Sequence, residues 1–224
     1  MGYFRSLGPR TKRLASFLER RAHASAESWP ELDTRQARGL FRRRAVVYTD
    51  TANFTTRTFE HGILHFLMLF EGFVPAVERG LRAQRGRLVK VDGDSLLLEF
   101  RDLEHACGGV RVMDSLLRQR NRGLPARDQL WFSYGIGWGD VLDLGDDIFG
   151  LEVNLASKLG EDRALPGEIL LTPAAAAAVA TALAGQLSPH GTVRFTDTAM
   201  RVTRLETSGP LLRQNGAREK TRRT

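Results

Sequence analysis

Apolar and polar positions along this chain change period several times, and each change marks a new element. AVVYTD (45–50) is an apolar run closed by an acid, the pattern of a short buried strand. TANFTT after it reads as a loop, with Thr55 or Thr56 placed to cap the next helix. From Phe59 to about Arg85 the period is helical, with a break expected near Gly72 and Pro75. GRLVKVDGDSLLLEF (86–100) reads as two β-type runs joined at Asp92-Gly93, a strong hairpin signal. Residues 103–122 read as a helix, and LWFSYGIGWGDVLDLGD (130–146) as two strands with a turn near Gly139. In DIFGLEVNLASK (147–158), Leu151, Leu155 and Ala156, continued by Leu159, fall at i, i+4, i+5 and i+8, one buried helical stripe. Asn154 and Lys158 form a second i, i+4 pair on another face. PGEILLT (166–172) is a strand, the alanine run at 174–178 belongs to another helix, and the last forty residues add one or two strands before a frayed basic tail.

The order strand, helical region, hairpin, helix, hairpin, helix, strand predicts an α+β domain: a mostly antiparallel sheet covered by helices on one side. The texture divides the chain into a basic extension over 1–44, a folded domain over 45–208 and a basic flexible tail over 209–224. Within the extension, TKRLASFLERR sets Leu14, Phe17 and Leu18 at i, i+3 and i+4 among basic residues, a short amphipathic helix. Such a helix packs on its own domain, on a regulatory partner, or loosely on a membrane surface.

The charge is uneven along the 224 residues. Residues 1–44 hold 11 Lys/Arg against 4 Asp/Glu, residues 209–224 hold 5 against 1, and the middle holds 17 against 21. The central domain is therefore mildly acidic, which argues against nucleic acid as a partner. The single cysteine, Cys107, excludes an internal disulfide framework and reads as a small buried hydrophobe. No secretory signal is visible, and the longest apolar run (62–74) contains Glu71 and is too short to span a bilayer, so no transmembrane segment and a cytoplasmic location are expected. His61 and His65 are i, i+4 on a helix without the following Glu of a metalloprotease, and read as packing residues. The three tryptophans read as core or interface.

Two acids stand out by position. Asp50 ends the first strand and Asp94 follows the turn of the first hairpin. Each alone reads as a turn or cap residue. If the two strands are neighbours, both carboxylates meet at one end of the sheet, an oxygen-rich site suited to Mg²⁺ or Mn²⁺. Backbone N–H groups from Thr51 through Thr55 lead into a helix N-terminus, where phosphates bind readily.

VVYTDTANFTT, LVKVDGDSLLLEF, and GDDIFGLEVNLASKL followed by PGEILLT resemble the class III nucleotidyl cyclase catalytic domain. That family shows Asp followed by Phe-Thr, then Lys-x-x-Gly-Asp, then Asp-x-x-Gly-x-x-Val-Asn-x-Ala-x-Arg and Pro-Gly-Glu-Ile. The resemblance covers about residues 44–175. It implies a ferredoxin-like (βαββαβ) core and an adenylate cyclase converting ATP to 3′,5′-cyclic AMP and pyrophosphate. By the same resemblance Asp50, Asp94 and the backbone carbonyl of Thr51 hold two Mg²⁺ or Mn²⁺ ions, and Phe54 and Thr55 bind substrate. Lys90 and Asp147 read the base, Asn154 orients the ribose, and Lys158 stabilises charge on the α-phosphate. The family's site lies between two subunits, and this chain carries both half-sets, which implies a homodimer with two complete sites.

The base readout follows from chemistry. Lys90 only donates and ionised Asp147 only accepts, matching N1 and N6–H₂ of adenine; guanine requires the opposite pattern. Cyclases acting on GTP or a pyrimidine nucleotide remain alternatives, as does a weak or inactive cyclase-like domain. The last arises because Lys158 stands where the family has Arg, and lysine lacks the planar fork that suits a phosphate. A basic residue for the β,γ-phosphates is drawn from Arg194, Arg201 and Arg204, and the sequence does not choose among them.

Overall fold

The run Ala45–Thr49 is buried along its whole length. A strand buried at consecutive positions must be covered on both faces, and a computed structural model, which describes residues 9–179 and 181–207, shows that it is. Strand β1 (Phe41–Thr51) lies between β3 (Ser95–Phe100) and β4 (Phe132–Asp143), antiparallel to both. The other strands are β2 (Arg87–Asp92), β5 (Ile148–Phe149), β6 (Ile169–Leu171), β7 (Leu187–Phe195) and β8 (Thr198–Leu205). Their order is β2-β3-β1-β4-β6-β8-β7, with β5 paired to β4. Among the described residues only β4 and β6 run parallel. With helices between β1 and β2 and between β3 and β4, the first four strands have the βαββαβ order of a ferredoxin-like core.

On one face Ala45, Val47, Leu98, Phe132 and Ile136 pack under α4 (Ile63–Glu71), α5 (Val74–Ala83), α6 (Leu103–Asn121) and α8 (Pro173–Val179). On the other, Val46, Tyr48, Leu97 and Val141 meet Val153 and Ala156 of α7 (Leu151–Asp162). Burying each such large aliphatic side chain stabilises by about 1.5–3 kcal/mol. The expected one-sided cover is therefore corrected. The cause is the pleat, which sends alternate side chains of a doubly apolar strand to opposite faces.

The expected turn near Gly139 is also corrected, because β4 runs unbroken for 12 residues. Its glycines serve close approach. A Cβ on Gly135 would lie 2.0 Å from the Ala156 carbonyl oxygen, and one on Gly137 would lie 2.6 Å from that of Glu152. Helix α7 rests directly on the strand backbone there. The turn falls at 144–147, after which β5 folds back on β4.

Asp92 pairs with Ser95 across the Gly93 turn as expected. α6 begins where Asp102 accepts the His105 N–H at 3.0 Å, a side-chain cap. The 59–85 region forms three helices. α3 (Phe54–His61) precedes α4 and α5, with breaks at Gly62 (φ 83°) and at Gly72. Neither Thr55 nor Thr56 caps α3. Asn53, in the left-handed region at φ 64°, precedes it, and both threonines lie in its first turn. Cys107 is buried, which pushes its thiol up to about 11.

The N-terminal segment contributes α1 (Pro9–Ala22) and α2 (Trp29–Leu40), and α2 runs into β1 with no linker. Leu14 and Phe17 of α1 and Leu40 of α2 close on Leu144 beyond β4. Leu18, the third residue of the amphipathic stripe, is exposed. The sheet thus starts at Phe41, inside the segment assigned to the extension. The basic tail at 209–224 lies outside the described residues. Among the described residues no helix is long and apolar enough to cross a membrane.

Candidate active site

Register brings the end of β1 beside the tip of the first hairpin. Thr49 pairs with Leu96, so Thr51 comes opposite the hairpin tip, and its hydroxyl donates to Asp94 Oδ2 at 2.5 Å. Asp50 sits one residue earlier, with its backbone carbonyl accepting from Ser133 Oγ at 3.3 Å. Asp94 and the end of β1, where Asp50 and Thr51 stand, therefore share one corner of the sheet. Phe54 turns its ring inward against Phe66, centroids 4.6 Å apart, so its side chain belongs to the core. Thr55 is exposed. The Ala52 N–H is already donated to the Trp131 carbonyl at 2.8 Å. Of the segment expected to cradle phosphate, that amide is committed elsewhere.

The second group gathers on the α7 face. A depression of about 180 Å³ is lined by Tyr48, Lys90, Phe149, Val153, Asn154 and Ser157, with Leu97 and Ile148 beneath. A bulge between Leu88 and Lys90 shifts the β2 register where Lys90 stands, and bulges re-aim side chains in this way. Lys90 Nζ reaches Asp147 Oδ2 at 2.8 Å, joining residues 57 positions apart. The other oxygen of Asp147 accepts the Ile148 N–H at 2.8 Å. Lys90 on β2 and the Ile148 amide on β5 thus fix this carboxylate from both sides.

Helix α7 is positioned by Val153, Leu155, Ala156 and Leu159, all buried. Leu151 is not: it is 64% exposed, which corrects the expected stripe at its first member. It occupies the first turn of the helix. Asn154 is exposed at the depression, while Lys158 forms an ion pair with Asp162 one turn along its own helix. The structure therefore groups Lys90, Asp147 and Asn154, and engages Lys158 with a local carboxylate.

Sequence reasoning passed over Tyr48 and Ser157. Tyr48 is two residues before Asp50, hence on the same face of β1, and Ser157 is one turn after Asn154; those spacings were the available signals. Burial, then the negative charges of Glu161 and Asp92, push the Tyr48 hydroxyl up to about 12. It therefore stays protonated at neutral pH. Ser157 donates to Glu161 at 2.7 Å. Of the three arginines considered for phosphate, Arg204 is engaged by Glu206 at 3.0 Å and Glu168 at 3.7 Å, and Arg194 and Arg201 are exposed. His65 contacts the Arg127 carbonyl at 3.1 Å and Asp128 at 3.4 Å, tying α4 to the segment before β4.

A ferredoxin-like core with an acidic strand-end corner and a polar depression under α7 has the fold of the class III adenylate/guanylate cyclase domain. Solved structures carry that statement. The adenylate/guanylate cyclase/hydrolase from Silicibacter pomeroyi superposes with a TM-score of 0.67 at 22% identity, over 74% of this chain and 96% of that one. The adenylyl cyclase CyaB from P. aeruginosa gives 0.60 at 22% identity, over 77% and 98%. The guanylate cyclase domain of RhGC from Catenaria anguillulae, in complex with GTP, gives 0.61 at 14%, over 74% and 96%. No family model matches the chain. Over 88 residues it is 30% identical to the protein named "Putative adenylate cyclase 3" of Rhizobium meliloti (strain 1021), a match spanning 39% of this chain and 15% of that relative's length.

Proposed function

We propose that this chain is an adenylate cyclase that converts ATP to 3′,5′-cyclic AMP and pyrophosphate at sites shared between two copies. The observation that carries the reading is the Lys90–Asp147 pair at 2.8 Å beside a depression that Asn154 also lines, on a fold shared with adenylyl cyclases. One obligate donor beside one obligate acceptor suits adenine N1 and N6 and opposes guanine. When the base enters, Lys90 donates to N1, Asp147 accepts from N6, and the two exchange their mutual bond for bonds to the ring. Asn154 holds the ribose so that its 3′-oxygen faces the α-phosphate. The bond from that oxygen to phosphorus forms, the bond to the β-phosphate oxygen breaks, and the 3′-hydroxyl proton and pyrophosphate leave. Lys158 leaves Asp162 to meet the charge that grows on the α-phosphate.

The donor set at the corner fits a hard divalent ion. Asp50, Asp94 and the Thr51 carbonyl offer only oxygen, and the Thr51 hydroxyl steadies Asp94 at 2.5 Å. These residues would hold Mg²⁺ or Mn²⁺, two ions per site, and when bound such ions polarise the phosphates and ease deprotonation of the attacking hydroxyl. Phe149, which lines the depression, and Leu151, two residues further on at the start of α7, are exposed apolar side chains. A second copy covering them supports the homodimer, each copy lending its corner to the other's depression. In this reading the enzyme works in the cytoplasm, where ATP is.

One observation favours a second reading. The Lys158–Asp162 ion pair must open before Lys158 can meet phosphate, which suits a nucleotide-binding domain of low turnover. Purified protein incubated with ATP and Mn²⁺ and scored for cyclic AMP separates the two. Cyclic AMP is expected from the native chain and not from Asp50→Asn or Asp94→Asn. Tight ATP binding with no cyclic product from any nucleoside triphosphate would establish the second reading.

A further inference from the structure

The turn that carries Asp147 is held from the far end of the chain. Asp143, at the end of β4, is 5% exposed, and its carboxylate meets Arg10 of α1 in a direct ion pair. Arg42 of β1 stands 3.3 Å and Arg87 of β2 3.8 Å from the same carboxylate. The other side of Asp143 accepts the Gly145 N–H at 2.9 Å, and Arg87 also donates to the Gly145 carbonyl. The next residue, Leu144, is buried in the seam formed by Leu14, Phe17 and Leu40. Its own N–H donates to the Asp147 carbonyl at 3.0 Å. The α1–α2 hairpin thus grips residues 143 and 144 by charge and by apolar contact, and those residues bond the backbone of the carboxylate paired with Lys90.

We propose that the α1–α2 hairpin is a positioning element for nucleotide recognition, with Arg10, Leu14 and Phe17 holding the 143–147 turn so that Asp147 faces the base. This rests on the cyclase reading for its consequence and on the contacts above for its mechanism. Release of the hairpin lets the turn move, so Asp147 leaves its place beside Lys90. The acidic corner is pinned separately by Thr51 and the β1–β3 register and keeps its geometry. Base recognition is then lost ahead of phosphate chemistry. Because α2 runs into β1 without a linker, anything that binds the hairpin acts on the site with no intervening joint.

The test uses the full chain with Arg10→Ala, Leu14→Ala and their combination, with Arg10→Lys as the conservative variant. Arg42 and Arg87 remain on Asp143 in Arg10→Ala, so the double variant gives the larger response. Hydrogen exchange of the Leu144 and Ile148 amides should quicken by about tenfold or more in the double variant while β1 and β3 amides keep their protection. Arg10→Lys should restore most of the difference. In the cyclase assay the KM for ATP should rise, and the preference for ATP over GTP should fall by about tenfold, with kcat changing less than KM. Unchanged exchange at 144–148, or quickened exchange with KM and ATP preference intact, overturns the proposal. A native chain that makes no cyclic product refutes the cyclase reading alone, and the exchange comparison still decides whether the hairpin holds the turn.

Discussion

Exchanging the donor and acceptor beside the depression should move the base preference from ATP toward GTP. In the native chain Lys90 and Asp147 sit 2.8 Å apart, with side chains 37% and 25% exposed. Each is partly shielded, so a hydrogen bond from either to the base counts as one to a charged group, worth about 1.5–3 kcal/mol. Removing the donor with Lys90→Ala should therefore cut kcat/KM for ATP by roughly 10- to 100-fold. The lower end is expected, because the native pair must open before ATP can use it, and truncation removes that cost as well.

Lys90→Glu alone should do worse with ATP than Lys90→Ala. It sets a second carboxylate beside Asp147 and an acceptor against adenine N1, also an acceptor. It should gain little with GTP, because Asp147 still faces guanine O6. The double variant Lys90→Glu with Asp147→Asn resolves both conflicts. Asparagine is isosteric with aspartate, so its oxygen can keep the Ile148 N–H bond, and its NH₂ can donate to O6 while the new carboxylate accepts from N1–H. Two corrected hydrogen bonds should shift the GTP-to-ATP ratio of kcat/KM by at least about 100-fold. Cyclic product from each nucleotide, quantified chromatographically over a substrate range, measures the ratio. A Lys90→Ala variant within twofold of native on ATP, or a double variant with unchanged preference, would refute base readout by this pair.

Lys158→Arg should raise kcat and Lys158→Ala should lower it by about tenfold or more, since the fork of arginine suits phosphate; initial rates at saturating ATP measure both, and activity unmoved by alanine removes Lys158 from the chemistry. Gly135→Ala should destabilise the fold by about 1–3 kcal/mol or more, because its Cβ would meet backbone, the Ala156 carbonyl at 2.0 Å, and backbone cannot rotate away; the urea midpoint reads it. Burial works to raise the Asp143 pKa, but hydrogen bonds from Arg10 and the Gly145 N–H, with the charges of Arg10 and Arg87, outweigh it and hold the carboxyl below its ordinary value. Its contribution is therefore complete above the ordinary carboxylate range and lost as pH falls through the lowered folded value. The urea-midpoint gap between the native chain and Arg10→Ala should be constant near neutral pH and shrink below about pH 4; a gap that does not move with acid contradicts this.

What could be read from the sequence was what local pattern encodes. The Asp92-Gly93 turn and the helix over Leu103–Asn121 each rest on period or turn chemistry within a few residues. Gly139 misled because glycine in a strand signals either a turn or a close approach, and only the position of α7 decides between them. The one-sided cover was the wrong inference from AVVY, since a strand with one wet face would alternate. Leu151 fits the helical period yet is exposed, because period gives a face and not what covers it. The contact between Arg10 and Asp143 spans 133 positions. No window of sequence contains it.

That contact also accounts for the uneven charge. The basic excess of the first 44 residues and the acidic balance of the middle set an extension apart from a folded domain. The structure joins them. Arg10 and Arg42 meet Asp143, and Arg44 meets Glu99, buried at 7% exposure and also held by Arg87. A carboxylate so buried costs stability unless cations accompany it, and arginine, weakly hydrated and forked, is the side chain suited to that position. The N-terminal arginines thus supply counter-charges for acids on β3 and β4, strands that flank β1. A chain shortened past Arg10 would leave Asp143 with Arg42 and Arg87 alone, so its urea midpoint should fall below that of the full chain.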